Sequence, residues 1–201
     1  MDKETRHFLA EVVSWAFFPP LVATVFFIFL TFWYSADFTE GLTWITYISP
    51  FLIFIPLIFF AISFKLGWVS DIDLSDRRQR PLYLTVFIGG LFFVSVILYM
   101  LKVPLKFFVY TFSGLMMTII TTLITLYWKI SFHTAVATSV VTAIVILGGV
   151  RYLPMFLLIA IIGWARVTLK KHTFWQVVGG FWVSFIITLA IFYYFGFRLF
   201  L

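Results

Sequence analysis

The sequence contains no cysteine and little charge. Without cysteine, disulfide bonds, thiolate metal sites and cysteine nucleophiles are excluded, so any chemistry must use histidine, arginine, lysine, carboxylates or hydroxyls. Only 11% of the 201 residues are charged, compared with about a quarter in an ordinary globular domain. In contrast, 63% are hydrophobic and 22% are aromatic. Because a helix needs about 20 apolar residues to cross a bilayer, the long apolar runs predict an integral membrane protein.

The apolar runs predict an all-α fold, a polytopic transmembrane helical bundle of six or seven spans. Seven candidate spans lie at about 13–34, 43–64, 82–101, 107–128, 131–149, 152–168 and 173–196. Prolines within the first two of these segments predict kinks. These are Pro19, Pro20, Pro50 and Pro56. We interpret residues 1–201 as a single integral membrane domain.

The formal net charge of +6 raises the question of an anionic partner. The basic residues are divided among short loops, so no continuous basic face is available to follow a nucleic-acid backbone. We therefore predict no nucleic-acid partner and expect contacts with the bilayer and with a negatively charged lipid. The sequence does not specify an oligomeric state.

Three short polar clusters interrupt the apolar sequence. The first is the loop 65–81, with three acidic and four basic residues. The second is WKISFHT at 128–134, and the third is WARVTLKKHTFWQVVGG at 164–180. Two predicted spans separate the first cluster from the second, and two separate the second from the third. All three clusters are therefore expected on one membrane face, where helix packing can bring them together.

The strongest candidate site residues are Arg80, His133, Arg166 and His172. A single Arg or His at a helix end often contacts lipid phosphate without any catalytic role. Several such groups together indicate function, because ionisable side chains at a membrane are costly. Arginine matches phosphate oxygens with paired N–H donors, and histidine can attack phosphorus or donate a proton near neutral pH. The set suffices for phosphoester cleavage through a phosphohistidine.

The order of these residues resembles the signature of the PAP2 family, the membrane lipid phosphatases related to type 2 phosphatidic acid phosphatase. In that family the first motif is Lys, six residues, Arg-Pro, and the second is Pro-Ser-Gly-His. The third is Ser-Arg, five residues, His, three residues, Asp. The resemblance lies within residues 73–180, and the matching positions are Arg80 and Pro81, Ser131 and His133, and Arg166 and His172.

The resemblance implies a PAP2-like helical core and a hydrolase that needs no metal or other cofactor. By the same resemblance, His172 is the nucleophile and His133 is the acid that protonates the leaving group. Arg80 and Arg166 are then expected to bind the phosphoryl oxygens. Ser131, with the backbone amides at the start of the fifth span, is expected to add donors, because helix N-termini favour anions.

The first motif departs from the family pattern, since its lysine position holds Asp73. Arg77, one turn before Arg80 if the stretch is helical, is our candidate for the missing substrate-binding cation. Alternatively, the acids position the bases, because Asp73 with Arg77 and Asp76 with Arg80 have i,i+4 spacing.

The other two motifs depart at Phe132, which replaces a glycine, and at Gln176, which replaces the aspartate. Phe132 keeps the backbone amide but reduces the room for a head group. The amide oxygen of Gln176 can accept a hydrogen bond from His172 and fix its tautomer, but it supplies no negative charge. The pattern HTxxQVxxG resembles the third motif of the dolichyl diphosphate phosphatase branch, and a similar His-to-Gln spacing occurs in the glucose-6-phosphatase branch.

A lipid phosphomonoester or diphosphate is the expected substrate, in a pocket with aromatic walls that include Phe132, Phe174 and Trp175. The resemblance at Gln176 favours a polyprenyl diphosphate, with phosphatidic acid or phosphatidylglycerol phosphate as alternatives. The cell (inner) membrane is the expected location. With Arg80 and Arg166 set aside, the motif face carries eight Lys and Arg residues against four on the other face. The positive-inside rule then places the site on the cytoplasmic face. The four Lys and Arg residues on the other face are Lys102, Lys106, Arg151 and Arg198.

Two other functions are compatible with the sequence. A non-catalytic PAP2-like lipid-binding protein is suggested by Asp73 and Phe132, which alter the expected phosphate site. A prenyltransferase of the UbiA type is suggested by the aspartates of SDIDLSDRRQRPL, since such enzymes bind Mg²⁺ and a prenyl diphosphate with carboxylates. That second alternative would require another Asp-rich motif, which the sequence does not contain.

Overall fold

A computed structural model describes residues 2–197, so Arg198 of the charge balance lies outside the described residues. All regular secondary structure assigned in this range is helical, which confirms the all-α class. The chain divides into two compact units. The first unit is formed by the residues up to Ala23 and from Lys129 onward, and the second unit by Thr24–Trp128. Each unit is described separately.

The helices are, in chain order, α1 (Lys3–Ala16), α2 (Pro19–Tyr34), α3 (Phe38–Ser49), α4 (Ile55–Lys65), α5 (Arg80–Met100), α6 (Leu105–Tyr127), α7 (Phe132–Gly148), α8 (Phe156–Thr168) and α9 (Phe174–Tyr194). A π-helical turn, Pro50–Phe54, joins α3 to α4, and a 3-10 turn, Val150–Met155, precedes α8. The boundary between the two units falls within α2.

Within residues 2–197, five helical segments are long and apolar enough to cross a membrane. They are Phe38–Lys65, Arg80–Met100, Leu105–Tyr127, Val150–Thr168 and Phe174–Tyr194. The number rises to six if α1 and α2, which are separated by a short break, form one bent span. The remaining predicted span falls on α7, which is apolar but has only 17 residues, about 25 Å at 1.5 Å per residue. The chain is therefore a multi-pass membrane protein.

The prolines of the first two predicted spans lie at the irregularities of the helices. Pro19 is the first residue of α2, where its missing N–H costs nothing because the first helical N–H groups have no intrahelical acceptor. The π-helical turn begins at Pro50, and Pro56 follows at the start of α4. The predicted kinks are therefore seen as a helix break before Pro19 and a π-helical turn after Ser49.

In the first unit, α7 packs against α8 and α9 through an apolar core and a line of small polar side chains. Ser184 Oγ donates to the carbonyl oxygen of Ala135 at 2.6 Å, and Thr188 Oγ1 donates to Ser139 Oγ at 3.1 Å. Small and hydroxyl-bearing residues are typical of close helix contacts in membranes. They hold α9 along the buried side of α7.

Gly180 marks the closest approach between α9 and the start of α7. A Cβ atom at this position would lie 2.6 Å from the carbonyl oxygen of Ser131, a separation that real Cβ atoms essentially never show. Gly163 of α8 has the same role against Val177, whose Cγ1 would lie 2.6 Å from an added Cβ. These two glycines bring α8 and the start of α7 against the N-terminal half of α9.

The N-terminal helix α1 begins ten residues before the first predicted span. Asp2 caps it by accepting a hydrogen bond from the backbone N of Thr5 at 2.7 Å, and this bond lowers the pKa of Asp2. Buried Ala10 and Ser14, four residues apart, lie on the face that packs against α8. On the same stripe, Arg6 Nη2 donates to Thr168 Oγ1 at 3.4 Å. The difference from the prediction arises because α1 is amphipathic and carries charge, so it forms no apolar run.

In the second unit, α5 packs along α6, and the π-helical turn and α4 pack on α5. Residues 71–79, which lead into α5, form bends and turns instead of a helix. The helix that would place Arg77 and Arg80 on one face is therefore not present in this stretch. The first polar cluster is a folded loop that ends where α5 begins.

Candidate active site

The second and third polar clusters meet where α7 and α9 begin. The backbone N of Ser131 donates to the carbonyl oxygen of Gln176 at 3.2 Å. Thr134 Oγ1 is 3.2 Å from the carbonyl oxygen of Val177. The predicted site residues Ser131 and Gln176 are thus joined through the backbone, and the N-termini of two helices lie side by side. Both N-termini favour an anion through their N–H groups and helix dipoles.

His172 lies just before α9 and is held by the cap of that helix. Thr173 is the N-cap, and its Oγ1 accepts from the backbone N of Gln176 at 3.4 Å. In return, Gln176 Oε1 accepts from the backbone N of Thr173 at 3.1 Å, which completes a capping box. The same Oε1 is 3.2 Å from Nδ1 of the buried His172. The predicted contact between Gln176 and His172 is therefore confirmed, and a capping box explains it.

The capping box also fixes the proton on the His172 ring. Because Gln176 Oε1 accepts from a backbone N–H, the amide oxygen and not the amide nitrogen faces the imidazole. Nδ1 must then be the donor, so the neutral ring carries its lone pair on Nε2. Nε2 is the atom that a nucleophilic histidine would use.

Arg166 lies in the last turn of α8 and is only 1% exposed. Its Nη1 donates to Ser14 Oγ of α1 at 2.5 Å. Its carbonyl oxygen accepts from the backbone N of Lys171 at 3.1 Å and of His172 at 3.3 Å. Lys170 takes a positive φ of 54° in this turn. The five residues between Arg166 and His172 are thus the last two of α8 and the first three of the turn that follows it.

The remaining second-cluster residues lie in the first turn of α7. His133 is buried, and the ring of Phe18 approaches it edge-on with 6.2 Å between ring centroids. Ser131 is the N-cap residue and is 0% exposed, yet its Oγ has no hydrogen-bond partner within the described part of the chain. A buried hydroxyl without a partner costs roughly 1–3 kcal/mol. A phosphoryl oxygen would satisfy it.

The first-cluster residues Arg77 and Arg80 belong to the second unit. Arg80 is buried at the first position of α5, and its Nε donates to the carbonyl oxygen of Leu74 at 2.7 Å. Arg77 Nη1 donates to the carbonyl oxygen of Leu126 at 2.7 Å and to that of Thr125 at 3.4 Å. Arg77 therefore binds the last carbonyls of α6, where a cation is favoured by the helix dipole. Its predicted role as a substrate ligand stays a prediction.

The acidic residues of the first cluster stabilise their own loop. Asp71 accepts from Ser75 Oγ at 3.0 Å, and Asp76 Oδ1 accepts from the backbone N of Arg78 at 2.9 Å. Between residues 2 and 197, no group of three or more His, Asp and Glu side chains is arranged to hold a metal ion.

The aromatic residues expected in the pocket wall differ in their surroundings. Phe132 is half-buried, whereas Phe174 and Trp175 are exposed and pack on each other with 5.5 Å between ring centroids. Phe174 lines a groove between α8 and α9. Of the three aromatic residues expected in the pocket wall, one is therefore half-buried and the other two are exposed.

Comparisons with family models, with curated proteins and with solved structures find no match to this chain. The PAP2 resemblance is therefore carried by the three motifs alone.

Two residues at the site were not identifiable as site residues from the sequence. Ser14 binds Arg166 across 152 positions of the chain, and no motif marks it. Gly180 ends the pattern HTxxQVxxG, and its position in that pattern is the one signal that could have drawn attention to it. Its structural role is the close approach to Ser131.

Proposed function

We propose that the chain is a metal-independent membrane lipid phosphatase that works through a phosphohistidine. The observation that carries the proposal is the capping box at α9, in which Gln176 Oε1 lies beside Nδ1 of His172, so that Nε2 is the ring nitrogen with the lone pair that attack on phosphorus needs. The buried hydroxyl of Ser131 and the adjoining start of α7 support it, since both suit a phosphoryl group.

The first chemical step forms a bond between His172 Nε2 and phosphorus. The phosphorus–oxygen bond to the lipid breaks at the same time, and the leaving oxygen takes a proton from His133. For a lipid monophosphate the leaving group is the lipid alcohol, and for a diphosphate it is the lipid monophosphate. We assign to Arg166 and Ser131 Oγ the role of donors to the phosphoryl oxygens, whose charge they would stabilise.

In the second step, water attacks the phosphorus of the phosphohistidine. His133, now neutral, accepts a proton from that water, the phosphorus–nitrogen bond breaks, and inorganic phosphate leaves. Gln176 orients the His172 ring through both steps but adds no charge to stabilise an imidazolium. We expect this neutral partner to give a slower enzyme than one with a carboxylate at the same position.

The assignment of Arg80 to phosphoryl binding rests on the resemblance, in which it is the arginine of the first motif. The substrate class also follows from the resemblance: a polyprenyl diphosphate is favoured, and phosphatidic acid or phosphatidylglycerol phosphate are the alternatives. The lysine and arginine distribution supports a site on the cytoplasmic face of the cell membrane.

A non-catalytic lipid-binding protein is the second candidate function. It is favoured by the engagement of Arg77 with the α6 carbonyls, which leaves the family's first-motif lysine without an evident replacement. A UbiA-type prenyltransferase is less favoured, because Asp71 and Asp76 accept hydrogen bonds within their own loop.

Phosphate release from a panel of lipid phosphates in detergent, with and without EDTA, separates the three functions. The phosphatase predicts release that EDTA does not reduce and that His172→Ala abolishes. Release of diphosphate that depends on Mg²⁺ and on a prenyl acceptor would instead identify a prenyltransferase. Lipid binding without turnover of any member of the panel would identify the non-catalytic protein.

A further inference from the structure

A groove of 590 Å³ lies between α8 and α9 in the first unit. Its walls are apolar and aromatic, and they include Ala160, Trp164, Val178 and Trp182. Neither Arg166 of α8 nor His172, just before α9, lines it. Phe174, which is expected in the wall of the substrate pocket, does line it, so the groove adjoins the candidate active site without including Arg166 or His172.

The charge in the groove is confined to one end. Among residues 2–197, Arg6 is the only charged residue that lines the groove, and it reaches the groove from α1. Arg6 Nη2 is 3.4 Å from Thr168 Oγ1, at the last residue of α8. The cation thus marks the end where α8 stops and α9 starts, and the opposite end is formed by Phe156 and Trp182.

The dimensions of the groove match one leaflet of a membrane. From Phe156 to Thr168, α8 rises about 18 Å at 1.5 Å per residue. Half of a bilayer hydrocarbon core is about 15 Å thick. An apolar channel of this length with a cation at one end is complementary to an amphiphile that has a hydrocarbon tail and an anionic head.

We propose that this groove binds one anionic phospholipid, with a tail between α8 and α9 and its phosphate at Arg6. The ligand is a bilayer phosphodiester lipid and not the substrate, so the inference does not depend on phosphatase activity. Arg6 is on the same helix as Ser14, which binds Arg166. A lipid at Arg6 therefore favours the docked position of α1 and, through it, the placement of Arg166.

The probe is phosphatidylglycerol, compared with phosphatidylcholine of the same acyl chains, and binding is measured by native mass spectrometry of the whole protein in detergent. Phosphatidylglycerol carries no phosphomonoester, so its binding can be measured whether or not the protein is a phosphatase. Arg6→Gln removes the cation, and Lys3→Gln is the matched control on the same helix, outside the groove. Arg6→Lys keeps the charge.

A second pair of variants tests the apolar part. Ala160→Trp fills the groove, and Leu157→Trp, at a position of α8 that is 69% exposed and outside the groove, is the control. We expect tighter binding of phosphatidylglycerol than of phosphatidylcholine. Arg6→Gln should weaken phosphatidylglycerol binding about fivefold, the effect of one basic residue acting on an anionic lipid. Lys3→Gln, Arg6→Lys and Leu157→Trp should bind nearly as the wild type does, and Ala160→Trp should lose most binding.

Four results would overturn the proposal, the last of which concerns inorganic phosphate. One is equal binding of the two lipids, and another is an equal effect of Arg6→Gln and Lys3→Gln. The third is a change from dimer to monomer in Ala160→Trp alone, since that would identify a second copy of the chain as the occupant. Inorganic phosphate should not displace the lipid, because the tail supplies much of the contact, and displacement by phosphate alone would also contradict a lipid site.

Discussion

Gln176 Oε1 lies 3.2 Å from Nδ1 of His172 and 3.1 Å from the backbone N of Thr173. One amide oxygen therefore caps α9 and orients the candidate nucleophile. The start of the helix and the direction of the imidazole therefore depend on the same side chain, which contributes both to local stability and to the proposed chemistry.

Replacing Gln176 with glutamate separates these two roles. Glutamate is also a capping-box residue at this position, so the helix start should be preserved. Its negative charge beside His172 stabilises the protonated imidazole, and the neutral ring needed for attack then appears only at higher pH. We expect the acid limb of the pH–rate profile for phosphate release to move to higher pH. Gln176→Ala should instead lower the rate at every pH and destabilise the start of α9 by about 1 kcal/mol. An unchanged profile in Gln176→Glu would show that Gln176 does not face the nucleophile.

The bond between Ser14 and Arg166 predicts that a residue of α1 affects phosphate binding. Ser14→Ala removes the partner of Arg166 Nη1, and hydrogen bonds to charged groups are worth about 1.5–3 kcal/mol. We expect kcat/KM for phosphate release to fall by roughly tenfold or more. Ser184→Ala is the matched control, because Ser184 is also a buried serine but donates to Ala135 of the helix packing. It should lower thermal stability with little effect on kcat/KM. Equal effects of the two variants on activity would argue against a positioning role for Ser14.

The contact of Gly180 with the start of α7 predicts an unusual response to alanine. Gly→Ala within an exposed or open helix position stabilises by about 0.5–1 kcal/mol. This gain is expected for Gly89 of α5, where an added Cβ meets no atom within 4 Å. At Gly180 the added Cβ would meet Ser131, and overpacking of this kind costs about 1–3 kcal/mol. Thermal unfolding should therefore separate Gly180→Ala from Gly89→Ala in sign. The same sign in both would contradict the close approach.

Arg77 offers a test between a structural and a substrate-binding role. Its Nη1 hydrogen bonds to Leu126 and Thr125 predict that Arg77→Gln lowers the thermal stability. If this is its only role, the KM for a lipid phosphate stays close to the wild-type value. A several-fold higher KM at unchanged stability would support the alternative, in which Arg77 replaces the lysine of the first motif. Arg78→Gln, on the neighbouring exposed arginine, controls for the loss of one positive charge in the loop.

Hydrophobic length and motif spacing in the sequence predicted the membrane helices and the meeting of the second and third clusters. This worked because the uninterrupted apolar runs mark the membrane helices, and because the two helices between those clusters, α7 and α8, return the chain to the start of α7. The sequence did not reveal α1, since a charged amphipathic helix has no apolar run. Its docking, and with it the Ser14–Arg166 bond, depends on contacts between distant parts of the chain.

The sequence predicted a loop before α5 but not the hydrogen bonds that fold it. The i,i+4 spacing of its acids and bases suggested that the acids position the bases. In the structure, Asp71 and Asp76 accept hydrogen bonds from a nearby hydroxyl and a nearby backbone N–H. Aspartate and serine commonly favour turns in this way, because their short side chains compete with helical hydrogen bonds.

Trapping of a phosphohistidine tests the central claim most directly. The protein is mixed with a lipid phosphate labelled in its terminal phosphoryl group, denatured rapidly at alkaline pH, and mapped by mass spectrometry. We expect label on His172 in the wild-type chain, no label in His172→Ala, and loss of phosphate release in that variant. Phosphate release by His172→Ala at the wild-type rate, or label on a different residue, would contradict it.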